Sequence, residues 1–321
     1  VGLNTGANVT PAFLAAVRGH ISEANAGLDA AIERIRADHA NVVKEESAGG
    51  AKISILSARL QEAWRLLHLS WVLHTLGRGA DAADLLTETG WVWPKIDSLM
   101  DKVASEDSEI RKRGSTERTR QETFSAEAWS WVIRLSYVLC TSWREVPPAD
   151  VIASLPSPET LNGYVTAVGT QKTPRGYRHG VACLPLLAAQ VCEQLEQLDD
   201  ALQYAAVALR FVTDPVAAAD MRPTTHVQAY ALQGRVMASK GAMEDAERAF
   251  TSAISCAHSH GLRLLEMFAL RDLKKCVLDD DGRGEEGARR LRTVLREMKA
   301  PAEDLTRLLG DGLDAAAILA S

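Results

Sequence analysis

One stretch of the chain, YALQGRVMASKGAMEDAERAFTSA at 230–253, constrains the fold more than any other. Its spacing predicts two helices joined by a tight turn. Three small residues, Gly234, Ala246 and Ala253, stand where the backbones of two packed helices would approach each other. The large residues that would fill the seam are Tyr230, Met237 and Phe250. A helix pair of this kind exposes an apolar face that it cannot cover itself, so the stretch predicts a stack of neighbouring pairs.

Similar residues recur at the same offsets elsewhere in the chain. The matching sets are Ala201, Ala205 and Ala208 in one unit, Gly282, Gly287, Leu291 and Val294 in another, and Gly77, Ala82 and Leu86 in a degenerate copy. The spacing between units is measured between small residues at corresponding positions. Ala201, Ala246 and Gly287 lie 45 and 41 residues apart. Ala and Leu dominate the composition and aromatic residues are few, which favours helices over strands.

The middle pair resembles the tetratricopeptide repeat (TPR), a helical hairpin that stacks into a solenoid. The resemblance covers about 181–297, and it is to the longer or irregular members, because the common repeat has about 34 residues. It implies an all-α fold, a TPR-like right-handed α-solenoid of antiparallel helix pairs. It also implies that the first helix of each unit lines a concave surface. The residues expected to face a partner there are Gln190, Glu193, Gln228, Arg235, Asp272 and Asp279.

The N-terminal region predicts a long helical hairpin. A helix should begin at Thr10 and Pro11 and run to about 46, because apolar residues recur every seven positions. The heptad residues are Leu14, Ile21, Leu28, Ile35 and Val42. Gly49 and Gly50 should end this helix, and a second apolar helix should reach Gly77. The stripe could pack against its neighbour in the hairpin, or it could mediate self-association as an intermolecular coiled coil.

These patterns divide the chain into four regions. Residues 1–104 would hold the N-terminal hairpin and the degenerate repeat, and 105–123 would form a charged flexible linker or loop. Connecting helices would occupy 124–180. The TPR-like repeats, with C-terminal capping helices after Pro301, would occupy 181–321.

Bulk properties narrow the partners and the compartment. The formal charge of −6 is mild for 321 residues, so neither DNA nor RNA is expected. No apolar run approaches the ~20 residues of a membrane span, and the N-terminus lacks the features of a signal peptide. The five cysteines show no CxxC spacing, which favours a reducing, cytoplasmic location.

No motif for catalysis or cofactor binding stands out. The histidines form no HExxH, and the chain carries no GxxxxGK[ST], GxGxxG or GxSxG. The run Asp279–Gly282 superficially matches a calcium loop but lacks its alternating oxygen ligands and its closing glutamate. The sequence therefore predicts no catalytic residue, no cofactor and no metal.

The expected function is a non-enzymatic protein–protein interaction scaffold that binds a peptide or a helix on the concave face. The family's grip on a chaperone's C-terminal carboxylate is not expected, because Arg235 lacks the accompanying Lys and Asn residues. The alternative is a regulatory or sensor helical-repeat domain of a larger protein that binds a small ligand or a signalling peptide. A helical enzyme with an unrecognised site is the third hypothesis.

Overall fold

The computed structural model describes residues 10–49, 52–92, 94–102, 105, 131–140, 153–169, 175–213, 223–310 and 313–320. These residues form helices and connecting turns, with no strand among them, which confirms the all-α prediction. Within these ranges no helix has both the length and the apolarity that a membrane crossing requires. The charged segment predicted at 105–123 lies, apart from Ser105, outside the described residues.

The helices of the described ranges are numbered in chain order. They are α1 (Thr10–Val17), α2 (Ile21–Ser47), α3 (Lys52–Thr75), α4 (Gly79–Glu88), α5 (94–102), α6 (131–140), α7 (Pro158–Gly169), α8 (Arg175–Gln194), α9 (Leu198–Thr213), α10 (Pro223–Ser239), α11 (Met243–Ser259), α12 (Arg263–Leu273), α13 (Gly284–Glu297), α14 (Ala302–Leu309) and α15 (Ala315–Ala320). A π-helical turn, Lys274–Leu278, extends α12.

The predicted continuous helix over 11–46 is wrong at Gly19. Helix α1 ends at Val17 and α2 begins at Ile21, with Gly19 in the left-handed region at φ 85°. The N–H groups of Gly19 and His20 donate to carbonyls three and five residues earlier, both at 2.9 Å. This is the hydrogen-bond pattern with which helices commonly end in a left-handed residue. The heptad spacing continues across the break, so periodicity alone could not reveal it.

The same turn joins helices at several other places. Its left-handed residues are Gly19, Gly77, Glu196, Gly241, Gly261 and Gly282. At each one, its own N–H and the next N–H bond to carbonyls three and five residues back, and a new helix begins two residues later. The helices predicted to meet near Gly77, Gly241 and Gly282 do so.

The chain divides into two compact units. Unit 1 comprises 1–9 and 28–187, and unit 2 comprises 10–27 and 188–321. The sequence-based division differs most at 10–27, which it assigned to an N-terminal hairpin.

In unit 1, α2 and α3 run antiparallel. Arg59 on α3 pairs with Glu46 on α2 at 2.7 Å, and Arg65 pairs with Asp38 at 2.9 Å, so residue numbers rise on one helix as they fall on the other. Helix α4 packs against α3. Fully buried residues of this unit include Leu66, Leu69, Val72, Leu73, Leu85, Trp91, Ile96 and Leu135.

In unit 2, the contacts run mainly between successive helices. Helix α10 packs on α11 and also touches α9 and α12, while α12 touches α11 and α13. The short helix α15 packs against α13 and α14. The seam of the middle pair lies at Gly234, where an added Cβ would come within 2.8 Å of the Phe250 ring. Helix α1 contacts α12 from the other end of the chain.

Candidate functional site

Three of the residues predicted to face a partner meet one another in unit 2. The Arg235 guanidinium on α10 donates from Nε and Nη2 to both carboxylate oxygens of Glu193 on α8, at 2.6 and 2.8 Å. Its Nη1 donates to Oδ2 of Asp272 on α12 at 3.1 Å. One side chain therefore links helices α8, α10 and α12.

The links continue to a fourth helix through Arg271. Its Nε donates to Oδ1 of Asp272 at 2.8 Å, and its Nη1 points to the carbonyl of Leu308 at 3.4 Å, near the end of α14. The same guanidinium lies 5.0 Å from the centre of the Phe268 ring. We call this set, Glu193, Arg235, Asp272, Arg271 and the Leu308 carbonyl, the polar ladder.

The charges of the polar ladder balance one another. Burial acts to lower the pKa of Arg235, but the hydrogen bonds and charges of Glu193 and Asp272 outweigh it and raise that pKa above its ordinary value. Burial, and next the charge of Asp272, raise the pKa of the nearby Cys276 thiol. Two carboxylates thus meet two guanidinium groups, and the ladder carries no net charge.

Two side-chain amides lie beside the ladder and bond to no other described residue. Gln190 lies three residues before Glu193 on α8, and Gln228 lies seven before Arg235 on α10, so helical periodicity puts each on the same face as its ladder residue. Both are half-buried, and neither amide bonds to another described residue. Half-buried Phe268 lies four residues before Asp272 on α12. We call the surface formed by the ladder with Gln190, Gln228 and Phe268 the ladder face.

Asp279 does not join the ladder. It is exposed and accepts hydrogen bonds from Nζ of Lys274 at 2.7 and 2.8 Å. In a regular helix, a residue seven after Asp272 would share its face. The π-helical turn at Lys274–Leu278 intervenes, and its wider turn changes the register of the residues after Leu278.

Sequence reasoning missed Arg271 and Phe268. Each stands near Asp272 at a spacing that could have drawn attention to it, one and four residues earlier. The sequence could not show that the Arg271 guanidinium lies against the Phe268 ring. Nor could it show the bond from Arg271 to the carbonyl of Leu308, which lies 37 residues later on α14.

The ladder face presents amide donors and acceptors and an aromatic ring. Primary amides pair well with a peptide main chain because they donate and accept from one planar group. Among the described residues, no group of three or more His, Cys, Asp or Glu side chains could hold a metal ion. No family model, curated protein or solved structure matches the chain.

Proposed function

We propose that unit 2 is a TPR-like right-handed α-solenoid and that the chain is a non-enzymatic scaffold whose ladder face binds a peptide or a helix of another protein. The polar ladder carries this proposal. Arg235 bonds to partners 42 residues before it and 37 residues after it, each on the first helix of a neighbouring pair. Packed helices lie about 8–10 Å apart. One arginine that bonds to a helix on each side of its own supports a side-by-side arrangement of α8, α10 and α12.

The repeated turns support the same stacking. Ala201 and Ala246 are fully buried and lie five residues after the left-handed residues Glu196 and Gly241, and buried Gly287 lies five after Gly282. These small residues lie at the same position after each turn. They therefore let the second helix of each pair approach its neighbours closely at an equivalent point along its length. A stack built in this way leaves one long surface of first helices for a ligand.

The chemistry of the ladder face favours a partner that is bound through hydrogen bonds to its peptide main chain. The charged groups already satisfy one another, whereas the amides of Gln190 and Gln228 bond to no other described residue. The half-buried ring of Phe268 adds an apolar surface beside them, with Arg271 against it. Binding of this kind should depend weakly on salt, since screening weakens uncompensated charges above all.

The alternative is a regulatory or sensor domain whose repeats bind a small ligand or a signalling peptide. The same amides could hold such a ligand. A native mass spectrum of the purified chain separates the two, because a tightly bound metabolite would add a defined mass in stoichiometric amount.

The decisive experiment compares two lysine substitutions in one helix pair. Gln228→Lys removes an open amide from the ladder face and adds an unpaired charge, whereas Thr251→Lys adds the same charge at an exposed position of α11. A macromolecular partner captured reproducibly by the wild-type chain should remain with Thr251→Lys and be lost with Gln228→Lys. Equal capture by all three proteins would contradict the proposal. A stoichiometric metabolite that disappears in Gln228→Lys would favour the alternative.

A further inference from the structure

The polar centre of unit 1 is the buried carboxylate of Glu62 on α3. Its Oε2 accepts from Nη1 of Arg59 at 2.6 Å, and its Oε1 accepts from Nδ1 of His39 on α2 at 2.5 Å. The indole Nε1 of buried Trp91 also donates to Oε1, at 3.1 Å. Three donors from three segments therefore hold one carboxylate whose side chain is only 3% exposed.

Two cations belong to this network. Arg59 is shared with Glu46, to which it donates at 2.7 and 2.5 Å, so it does not belong to Glu62 alone. The Lys95 ammonium lies 4.5 Å from the centre of the Trp91 ring. Burial, and next the charge of Arg59, lower the pKa of Lys95.

The carboxylate determines which nitrogen of His39 is free. A ring nitrogen that faces a carboxylate at hydrogen-bond distance carries the proton, so the Nδ1–H tautomer is held and Nε2 keeps its lone pair. Nε2 has no hydrogen-bond partner among the described residues, and the side chain is 22% exposed. A carboxylate hydrogen-bonded to one nitrogen of an imidazole fixes the ring and makes the opposite nitrogen a better nucleophile.

His258 in unit 2 provides an internal comparison. Its Nδ1 also lies near a buried carboxylate, Glu266, at 2.9 Å. However, Nη1 of Arg263 lies 3.1 Å from the same ring nitrogen and binds the other oxygen of Glu266 at 2.6 Å. The cation at the ring opposes any further positive charge there. His258 is also far more exposed, at 65% of its side chain.

We infer that Nε2 of His39 is a phosphoryl-accepting site. The lone pair of Nε2 attacks the phosphorus of a phosphoryl donor, the new P–N bond forms, and the leaving group departs with the electrons of the bond that breaks. Nδ1 keeps its proton and its hydrogen bond, so Glu62 balances the positive charge that the ring gains. A phosphoryl group is favoured over an acyl group because its own negative charge offsets the positive charge that the ring gains, whereas an acyl adduct would leave that charge on the ring.

This site in unit 1 does not depend on the proposed scaffold function. Its test uses the full chain and phosphoramidate, a small phosphoryl donor that releases ammonia. Acid-labile phosphopeptides mapped by mass spectrometry at neutral pH give the labelling rate of each histidine. His39 should be labelled about tenfold faster than His258 despite its lower exposure, and His39→Gln should lose that label.

Glu62 acts here as a positioning residue, and Glu62→Gln tests it. The rate at His39 should fall about 10- to 100-fold, and Glu62→Asp, which keeps a carboxylate, should retain more of that rate than Glu62→Gln does. A merely structural role would not separate the two variants in this way. Circular dichroism and tryptophan emission report whether the variant is folded.

Two outcomes would overturn the assignment. One is labelling of His258 at least as fast as His39 in the wild-type chain, since exposure alone would then govern reactivity. The other is a folded Glu62→Gln variant with an unchanged rate at His39. If Glu62→Gln does not fold, the wild-type comparison of His39 with His258 decides the matter.

Discussion

At Gly234 the two helices of the middle pair approach more closely than a Cβ atom allows. An added Cβ would lie 2.8 to 2.9 Å from three atoms of the Phe250 ring, which is itself fully buried. Real Cβ atoms essentially never sit that close to a neighbour, so the ring or the helix would have to move. The absence of a side chain at this residue therefore sets the spacing of α10 and α11.

Replacing Gly234 by alanine should lower the free energy of unfolding by about 1–2 kcal/mol. Overpacking costs about 1–3 kcal/mol, and the better helix propensity of alanine returns up to about 1 kcal/mol. Urea unfolding followed by circular dichroism measures the change. Gly163→Ala serves as the control, because an added Cβ in α7 meets nothing within 4 Å and should be neutral or stabilising. The cost of Gly234→Ala should shrink when Phe250 is also replaced by leucine; a cost that is unchanged would contradict the contact.

At the scale of the element, the turn at Gly19 determines where α1 ends and how it meets the rest of unit 2. Its backbone is left-handed, and an added Cβ would lie 3.0 Å from Cγ of Met298 and 3.2 Å from Cβ of Arg263. The carbonyl of Gly19 also accepts from the N–H of Lys299 at 2.9 Å. Backbone conformation and close packing therefore both require glycine here.

Gly19→Ala should cost more stability than Gly49→Ala. Both glycines are left-handed, at φ 85° and 73°, and that conformation costs an alanine about 1–2 kcal/mol. Gly49 has nothing within 4 Å of an added Cβ, so only Gly19 adds a packing cost, of about 1–3 kcal/mol. Thermal unfolding of the two variants compares them directly, and equal losses would argue against the packed turn.

The polar ladder also acts between helices, because one side chain, Arg235, bonds to residues on two other helices. Arg235→Met should lower the free energy of unfolding by about 1–3 kcal/mol, since Glu193 and buried Asp272 would lose a charged partner. Arg248→Met is the matched control in the same helix pair. Arg248 pairs with Asp245 on the exposed surface of α11, so its loss should leave the free energy of unfolding nearly unchanged. Urea unfolding of both variants gives the comparison, and equal effects would mean that the ladder contributes no more than a surface ion pair.

At the scale of the whole molecule, unit 2 is assembled from both ends of the chain. Residues 10–27 cluster with 188–321, and α1 packs against α12. Helix α1 has only eight residues, too few to be stable alone in water, so its order depends on this packing. The N-terminal segment therefore belongs to the core of unit 2 as much as the later helices do.

Phe13→Ala should loosen α12 although the two positions are far apart in sequence. Phe13 is buried on α1, and truncation of a buried phenylalanine costs about 3–5 kcal/mol. Hydrogen exchange should show reduced protection in Arg263–Leu273, while Leu14→Ala, at an exposed position of the same helix, should leave it unchanged. Unchanged protection in Phe13→Ala would mean that α1 contributes nothing to α12.

Predictions from sequence succeeded where the cause is local. The turns at Gly77, Gly241 and Gly282 were predicted from glycine between apolar stripes, and each stands where a helix ends in a left-handed residue. The turn at Glu196 uses a residue with no such signal. The turn at Gly19 was missed because the heptad spacing continues across it in the sequence. Ile21, Leu28 and Ile35 after the turn are buried, whereas Leu14 before it is exposed. Self-association through that stripe stays a prediction.

The candidate site shows the same difference between what sequence predicts and what it does not. The resemblance to the tetratricopeptide repeat and the geometry that it implies suggested Glu193, Arg235 and Asp272 as members of one face. They give no sign that these residues pair with one another, nor that Glu62 gathers other side chains around it, because such bonds join segments that periodicity does not relate. Whether the face binds a partner stays a prediction.

The helical class, most helix ends and the small residues of the seams are encoded in the amino-acid sequence. These features arise from backbone conformation and side-chain size, which act between residues a few positions apart. Three features are visible only in the tertiary structure. They are the packing of α1 against α12, the position of Asp279 away from the ladder after the π-helical turn, and the pairing of the charged side chains. They depend on distances between helices, and an ion pair or a close contact forms only where packing of the whole unit brings the two groups together.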